Sequence, residues 1–311
     1  MKTIPVIDLV DDPDRVAAAI GRACADFGFF QIVNHGVGAE SIDAAWTATR
    51  AFFDAPHQVR DAVAVPYAGY PYGYLGFAGE TLASSLGVDT PPDRKHSFSF
   101  GPIEPPAAAP TDPDEIWIRS PSRWPTEPVG FRATMESYYA AMAVLAARLL
   151  AHMAAALGLD GAYFEPMIDH HVSALRCLDY PALDEPPLPG QLRAGAHCDY
   201  GTLTILRTAP GTNGLETSDG DGHWNPVDAV EGGFIVNLGD SMAQWTNDRW
   251  RSTMHRVVEL PDAERRTSIA FFHTANWDAV IGCLPGLGAP RHQPVLAGRH
   301  LMAKFQRTVG A

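Results

Sequence analysis

Cysteine is scarce: four in 311 residues, at Cys24, Cys177, Cys198 and Cys283, scattered and without a C-x-x-C pair. That argues against a disulfide framework or a zinc knuckle and suits a reducing, cytoplasmic location. Basic residues are few, 23 Lys and Arg against 36 Asp and Glu, for a net charge of −13. Binding a phosphate backbone requires clustered Lys and Arg. No such cluster occurs, so no nucleic-acid partner is expected. The stretch Met1-Lys-Thr-Ile-Pro-Val-Ile-Asp-Leu9 lacks a signal-peptide apolar core, and no apolar run is expected to span a bilayer. No internal repeat is visible. What is present is 46% hydrophobic and 19% charged, an ordinary globular composition with ample material for a core.

The first half reads as helices with short strands between them. Ile4–Leu9 is a short strand, and Asp12-Pro13 is an N-cap followed by an N1 proline. Val16, Ile20, Ala23 and Phe27 then recur at helical spacing. Phe29–Val33 is a strand, and Asn34-His35-Gly36 a turn in which His35 is a capping or packing residue. Ile42, Ala45, Trp46, Thr49, Phe52 and Phe53 mark a second amphipathic helix. Residues 66–80 hold too much Gly, Pro and Tyr for a helix, and their tyrosines are candidates for a pocket mouth. Arg94–Phe100 alternates polar and aromatic residues as a half-buried strand does, and a Pro-rich linker follows. The longest helix is predicted at 129–157, its stripe running from Met135 to Leu157, with Gly158 as the stop and His152 inert.

From about residue 170 the texture changes to short β-like runs at 172–180, 203–208, 223–227, 234–238, 254–260 and 267–273. Such runs between Gly, Pro and Asp predict a sandwich or double-stranded barrel, closed by a helix at 297–306. Within this half, Gly195-Ala-His-Cys-Asp199 carries an H-x-D pattern. On a strand, residues i and i+2 share a face, so His197 and Asp199 would project together, roughly 7 Å apart at their α-carbons. His255 supplies a second imidazole. Two histidines and one carboxylate form the facial triad of non-haem Fe(II) oxygenases. A zinc hydrolase, or a strand histidine bonded to an aspartate, fits the same three residues. Arg266-Thr-Ser268 adds a guanidinium and a hydroxyl on one face, a fork for a carboxylate. Arg176, Leu178 and Tyr180 alternate onto a single face of their own strand.

These blocks resemble the isopenicillin N synthase-like branch of the Fe(II)- and 2-oxoglutarate-dependent oxygenases. The resemblance runs along nearly the whole chain. It includes Ile4–Leu9, Gly28–Gly36, Phe52–Asp54, Leu175-Arg176 with Tyr180-Pro181, His197-x-Asp199 with Leu203–Leu206, Val236–Asp240, Thr246–Val257 and Arg266-Thr-Ser268. It implies a mainly β fold with flanking helices around a double-stranded β-helix, or jelly-roll, core at 166–311. Residues 1–165 would be a helical and strand region packed on that core as one compact unit. By motif position, His197, Asp199 and His255 would bind Fe(II). Arg266 and Ser268 would hold the distal carboxylate of 2-oxoglutarate, and Tyr180 would bond the cosubstrate near the metal, with O2 as the second cosubstrate.

The implied reaction is oxidation of an unactivated C–H bond of a small molecule, by hydroxylation, desaturation or cyclisation, in specialised or amino-acid metabolism. Two alternatives stay open: an Fe(II) oxidase of the isopenicillin N synthase type that needs no 2-oxoglutarate, and a non-catalytic jelly-roll binding protein. The chain departs from the plant-type pattern at Leu178, where asparagine is common, and at Thr274-Ala275, which follow the Phe271-Phe272 pair without the usual proline. Candidate substrate residues are Tyr70, Tyr74, Phe77, Arg94, His96, Arg176, Leu178, Phe272 and Thr274. Arg176 suits an anionic or strongly polar substrate, or else an ion pair with a nearby acid.

Overall fold

The elements, in a computed structural model describing residues 3–183, 185–260 and 264–309, follow chain order as β1 (Val6–Asp8), α1 (Pro13–Asp26), β2 (Phe29–Val33), α2 (Ala39–Asp54), α3 (His57–Asp61), β3 (Gly73–Leu75) and β4 (His96–Phe100). The middle of the chain holds α4 (Pro113–Ile118) and α5 (Phe131–Ala156), then β5 (Ala174–Tyr180), β6 (Ala194–His197), β7 (Leu203–Thr208) and β8 (Gly211–Ser218). β9 (Trp224–Ala229), β10 (Phe234–Leu238), α6 (Asp240–Trp245), β11 (His255–Val257), β12 (Arg266–His273), β13 (Val280–Ile281), β14 (Val295–Leu296) and α7 (Ala297–Val309) complete it.

Local chemistry sets the boundaries. The Asp12 carboxylate accepts hydrogen bonds from the amides of Asp14 and Arg15 at 3.1 and 3.2 Å, satisfying donors that the first turn of α1 leaves free. α5 ends where Gly158 turns left-handed at φ +75°. There the Leu159 amide donates back to Ala154 O at 2.9 Å, as a Schellman cap requires.

Strands from both halves of the chain build one sheet of eight, in the order β1-β2-β10-β7-β12-β5-β4-β3. A second sheet runs β6-β11-β8-β9. Strand parity divides the large sheet. Leu175, Cys177, Leu203, Ile205, Ile269 and Phe271 point towards the helices and join the main core, in which α5 packs on α1 and α2. Their alternating neighbours Leu178, Tyr180 and Ala270 face the second sheet and meet its Ala194, Leu215 and Val257. This is a mainly β fold with flanking helices, a double-stranded β-helix.

Two readings of the sequence need correction here. α5 is in fact long and apolar enough to cross a membrane, with a mean hydropathy of 1.5. It serves instead as the central core helix, with Met135, Met142, Leu149 and Met153 fully buried. Strand β8 falls outside the β-like runs read from the sequence. It is nonetheless held between β9 and β11.

Candidate active site

The two sheets enclose a cavity of about 880 Å3 that reaches from His197, Asp199 and His255 out to α7. His197 and His255 are direct cross-strand partners on β6 and β11, so their rings leave the sheet on the same face, with centroids 4.3 Å apart. Asp199 is not on the strand as the sequence suggested: β6 ends at His197, and the carboxylate swings in from the following loop. That loop is pinned from beneath, where the Asp240 amide donates to Asp199 O at 2.8 Å. Gly239 lies so close to it that a Cβ there would fall 2.2 Å from Gly201 O.

The Asp199 Oδ1 atom stands 3.8 Å from His197 Nε2 and 3.9 Å from His255 Nε2. Among the described residues, this is the group of three whose ligand atoms converge as a metal site requires. Each histidine places its other nitrogen, Nδ1, against a carbonyl, His197 on Gly195 O at 2.8 Å and His255 on Thr253 O at 3.1 Å. These bonds fix the proton on Nδ1 and turn the Nε2 lone pair inwards. Burial, then the neighbouring His255, pushes His197 down to about 3, so its ring is neutral and free to ligate. Burial works to raise the Asp199 carboxyl, but the flanking histidines when charged, together with the hydrogen bonds from Asn237 and Thr204, hold it low. Thr204 Oγ1 at 2.5 Å and Asn237 Nδ2 at 2.7 Å both donate to its Oδ2, leaving Oδ1 towards the histidines. Two imidazoles with inward-facing Nε2 atoms and a buried carboxylate fit a divalent cation.

Arg266 and Ser268 sit on the cavity face of β12, their side chains joined by Nη1 donating to Oγ at 3.1 Å. Arg266 is 5% exposed, and its guanidinium lies over the Tyr180 ring 4.6 Å from its centroid and donates from Nε to Asn213 Oδ1. Burial pushes it down from its ordinary value, with Tyr180 opposing. It remains a cation, yet no carboxylate pairs with it among the described residues. A buried, unpaired guanidinium beside a hydroxyl is complementary to a ligand carboxylate.

The substrate candidates divide. Tyr70, Arg176, Leu178, Phe272 and Thr274 line the cavity. Tyr74, Phe77, Arg94 and His96 do not. Tyr74 and His96 stack at 5.9 Å and bond to each other on the opposite face of β4, where Phe77 covers His96. Arg94 turns away and donates to Glu185 O. The reason is parity. Arg176 pairs with Ser99 and Leu178 with Ser97, so the cavity face of β4 carries the odd residues, while His96, Phe98 and Phe100 face inwards. Glu80, Lys95, Asn213, Leu301 and Phe305 also line the site or brace it, and no linear motif marks them. His35 is structural, bonding Gly232 O and the Val37 amide.

This fold and this site define a non-haem iron oxygenase fed by a keto acid, and comparison with known proteins agrees. The family model described as the 2OG-Fe(II) oxygenase superfamily matches residues 169–275, and that of the non-haem dioxygenase N-terminal region (in morphine synthesis) matches residues 4–127. The chain belongs to the 2OG-Fe(II) oxygenase superfamily and is an Fe(II)- and 2-oxoglutarate-dependent oxygenase. Validamycin A dioxygenase of Streptomyces hygroscopicus subsp. limoneus is 32% identical over 89% of this chain and 78% of its own. Gibberellin 20 oxidase 2 of Oryza sativa subsp. japonica is 33% identical over 98% and 76%. Among solved structures, a 2OG-Fe(II) oxygenase family protein from Caulobacter crescentus has a TM-score of 0.84 at 26% identity, covering 98% of this chain and 99% of that one. JOX2 in complex with 2OG, Fe and JA has a TM-score of 0.77 at 28% identity, covering 99% and 86%.

Proposed function

We propose that His197, Asp199 and His255 bind Fe(II), that Arg266 and Ser268 hold the distal carboxylate of 2-oxoglutarate, and that the cavity beyond oxidises a C–H bond of a small molecule of specialised metabolism. One observation carries this reading: Arg266 is buried without a carboxylate partner among the described residues, in the same cavity as the convergent triad. Bound iron and 2-oxoglutarate supply the oxidising power, through O2-dependent decarboxylation to succinate and CO2. The chain's own residues do the rest. Thr204 and Asn237 orient the Asp199 carboxylate, and the Gly195 and Thr253 carbonyls aim the two imidazoles. Tyr180 stacks beneath Arg266 and fixes the plane of its fork. Leu178, Leu206, Ala270 and Phe272 line the walls and keep water from the reacting carbon.

The substrate side is less cationic than Arg176 alone suggests. Its Nη1 donates to both Glu80 oxygens at 3.1 Å, so the ion-pair alternative for this residue has the support of geometry. The four free cysteines suit a cytoplasmic setting. The test is stoichiometry. Protein with Fe(II), 2-oxoglutarate and O2 should release succinate and CO2 in equal amounts. Oxidation of a substrate without succinate would instead mean that Arg266 grips the substrate's own carboxylate.

A further inference from the structure

Four charges run along the substrate side of the cavity in strict alternation: Asp93, Lys95, Glu80 and Arg176. The Lys95 ammonium is almost fully buried and pairs with Asp93 and, at 3.2 Å, with Glu80. Glu80 in turn receives Arg176, whose Nε also donates to Ser99 Oγ at 2.9 Å. The chain of charges sums to zero. Lys95, Glu80 and Arg176 line the cavity, with 15% of the Glu80 side chain and 23% of the Arg176 side chain exposed.

Hydrogen-bonding capacity is left over where Arg176 meets Glu80. Arg176 Nη2 has no partner among the described residues. A carboxylate offers about four acceptor sites, and those of Glu80 take Nη1 on both oxygens and the lysine on Oε1, so Oε2 keeps room for one more donor. A donor and an acceptor therefore stand side by side, in a setting with no charge to spare.

We infer that Glu80 and Arg176 form the specificity edge of the cavity, and that it selects an uncharged substrate carrying an amide-type edge, with a carbonyl towards Arg176 and an N–H towards Glu80. The inference rests on the oxygenase reading of the site. Glu80 stays ionised throughout the working pH range: burial opposes this, but Arg176 and Lys95 prevail and hold its carboxyl at about 2. An anionic group placed here would meet the Glu80 carboxylate and find both cations already engaged. The apolar body of the substrate would lie along Leu82, Val88, Ile118 and Val172, which line the same region.

The experiment compares 3-phenylpropanamide with 3-phenylpropanoate, which share a skeleton and differ in charge. Binding is measured by calorimetry to anaerobic protein loaded with Fe(II) and 2-oxoglutarate, in wild type, Glu80→Gln and Arg176→Gln. Wild type should bind the amide about tenfold or more tightly than the acid, the discrimination expected of a site whose polar groups must be matched. Glu80→Gln frees Lys95 and Arg176 from their shared counter-ion and should gain about tenfold in affinity for the acid. Arg176→Gln keeps the Glu80–Lys95 pair and should lose the amide preference without gaining the acid. A wild type that binds the acid as well as the amide, or a Glu80→Gln protein with no gain for the acid, overturns the inference. Binding of neither compound to any of the three proteins does so too. Succinate formation by aerobic wild type is measured alongside; its absence would count against the oxygenase reading and not against the charge pattern.

Discussion

The Gly195 amide donates a hydrogen bond to the Asp93 carboxylate at 2.9 Å, and through it the loop beside the substrate cavity is fastened to the strand that presents His197. The Gly195 carbonyl accepts from His197 Nδ1, so the two ends of one peptide residue serve the loop and the metal site. A Cβ at this glycine would lie 2.9 Å from the Ala83 amide nitrogen and 3.2 Å from Asp93 Oδ1. Gly195→Ala should therefore cost about 1–3 kcal/mol by overpacking. It should also weaken Fe(II) binding by roughly 10–100-fold, the usual effect of disturbing a group that orients a ligand. Urea denaturation and metal titration check the two effects separately.

Arg266→Ala should weaken 2-oxoglutarate binding by roughly 2–5 kcal/mol, the cost of truncating one side of a buried charge pair. Arg266→Lys should recover part of this, because a point charge replaces the fork. Turnover with an unchanged 2-oxoglutarate dependence in Arg266→Ala would remove the residue from cosubstrate binding.

Metal binding should appear as stability. Mn(II), a redox-quiet stand-in for Fe(II), at about 100 times its dissociation constant should add about 2.7 kcal/mol to unfolding. In Asp199→Ala the increment should vanish. Thermal melts with and without metal make the comparison, and an equal increment in both proteins would show that the metal sits elsewhere.

Glu80 predicts an acid limb. Its carboxyl ordinarily titrates at 4.5 and in the fold at about 2. A depressed value means that the folded state favours the ionised form, so the stabilisation is complete above the ordinary value and fades as pH falls through the folded one. The stability advantage of wild type over Glu80→Gln, up to about 3 kcal/mol, should thus shrink between about pH 4.5 and 2. Asp93 runs the other way, since burial raises its carboxyl despite Lys95. The difference between the two proteins, followed by urea midpoints against pH, reads Glu80 together with its influence on Asp93.

His96→Ala should leave substrate and 2-oxoglutarate kinetics alone, because the ring faces Tyr74, Phe53 and Phe77 outside the cavity. Steady-state constants check this. A rise in substrate KM would return His96 to the pocket.

The sequence made the candidate metal and cosubstrate residues legible because they sit at short, fixed separations or on one strand face: 266, 268, 270, 272 and 274 all line the cavity. β4 was misread because its alternation alone does not say which face is which. The aromatic side of His96–Phe100 went to the helical core, and the serines and Lys95 to the ligand side. Pairing with β5, invisible in one dimension, settles it. Glu80 and α7 were out of reach for a related reason. Glu80 meets Arg176 across 96 residues of chain, and Leu301 and Phe305 enter the cavity wall from the last helix.

The two sheets divide the chemistry between them. His197 and His255 stand on the small one, while Tyr180, Arg266, Ser268, Arg176, Leu178 and Phe272 stand on the large one. In the proposed assignment the two histidines would hold the metal from one wall and the organic molecules would bind on the other, which also carries the Thr204 and Asn237 that orient Asp199, across an inter-sheet gap that packing fixes at about 10 Å. Change at Arg176, Leu178 and Phe272 of the large sheet can therefore reshape what is oxidised while the cross-strand pair His197 and His255 keeps its geometry. Such an arrangement lets one scaffold acquire new substrates without rebuilding its metal site.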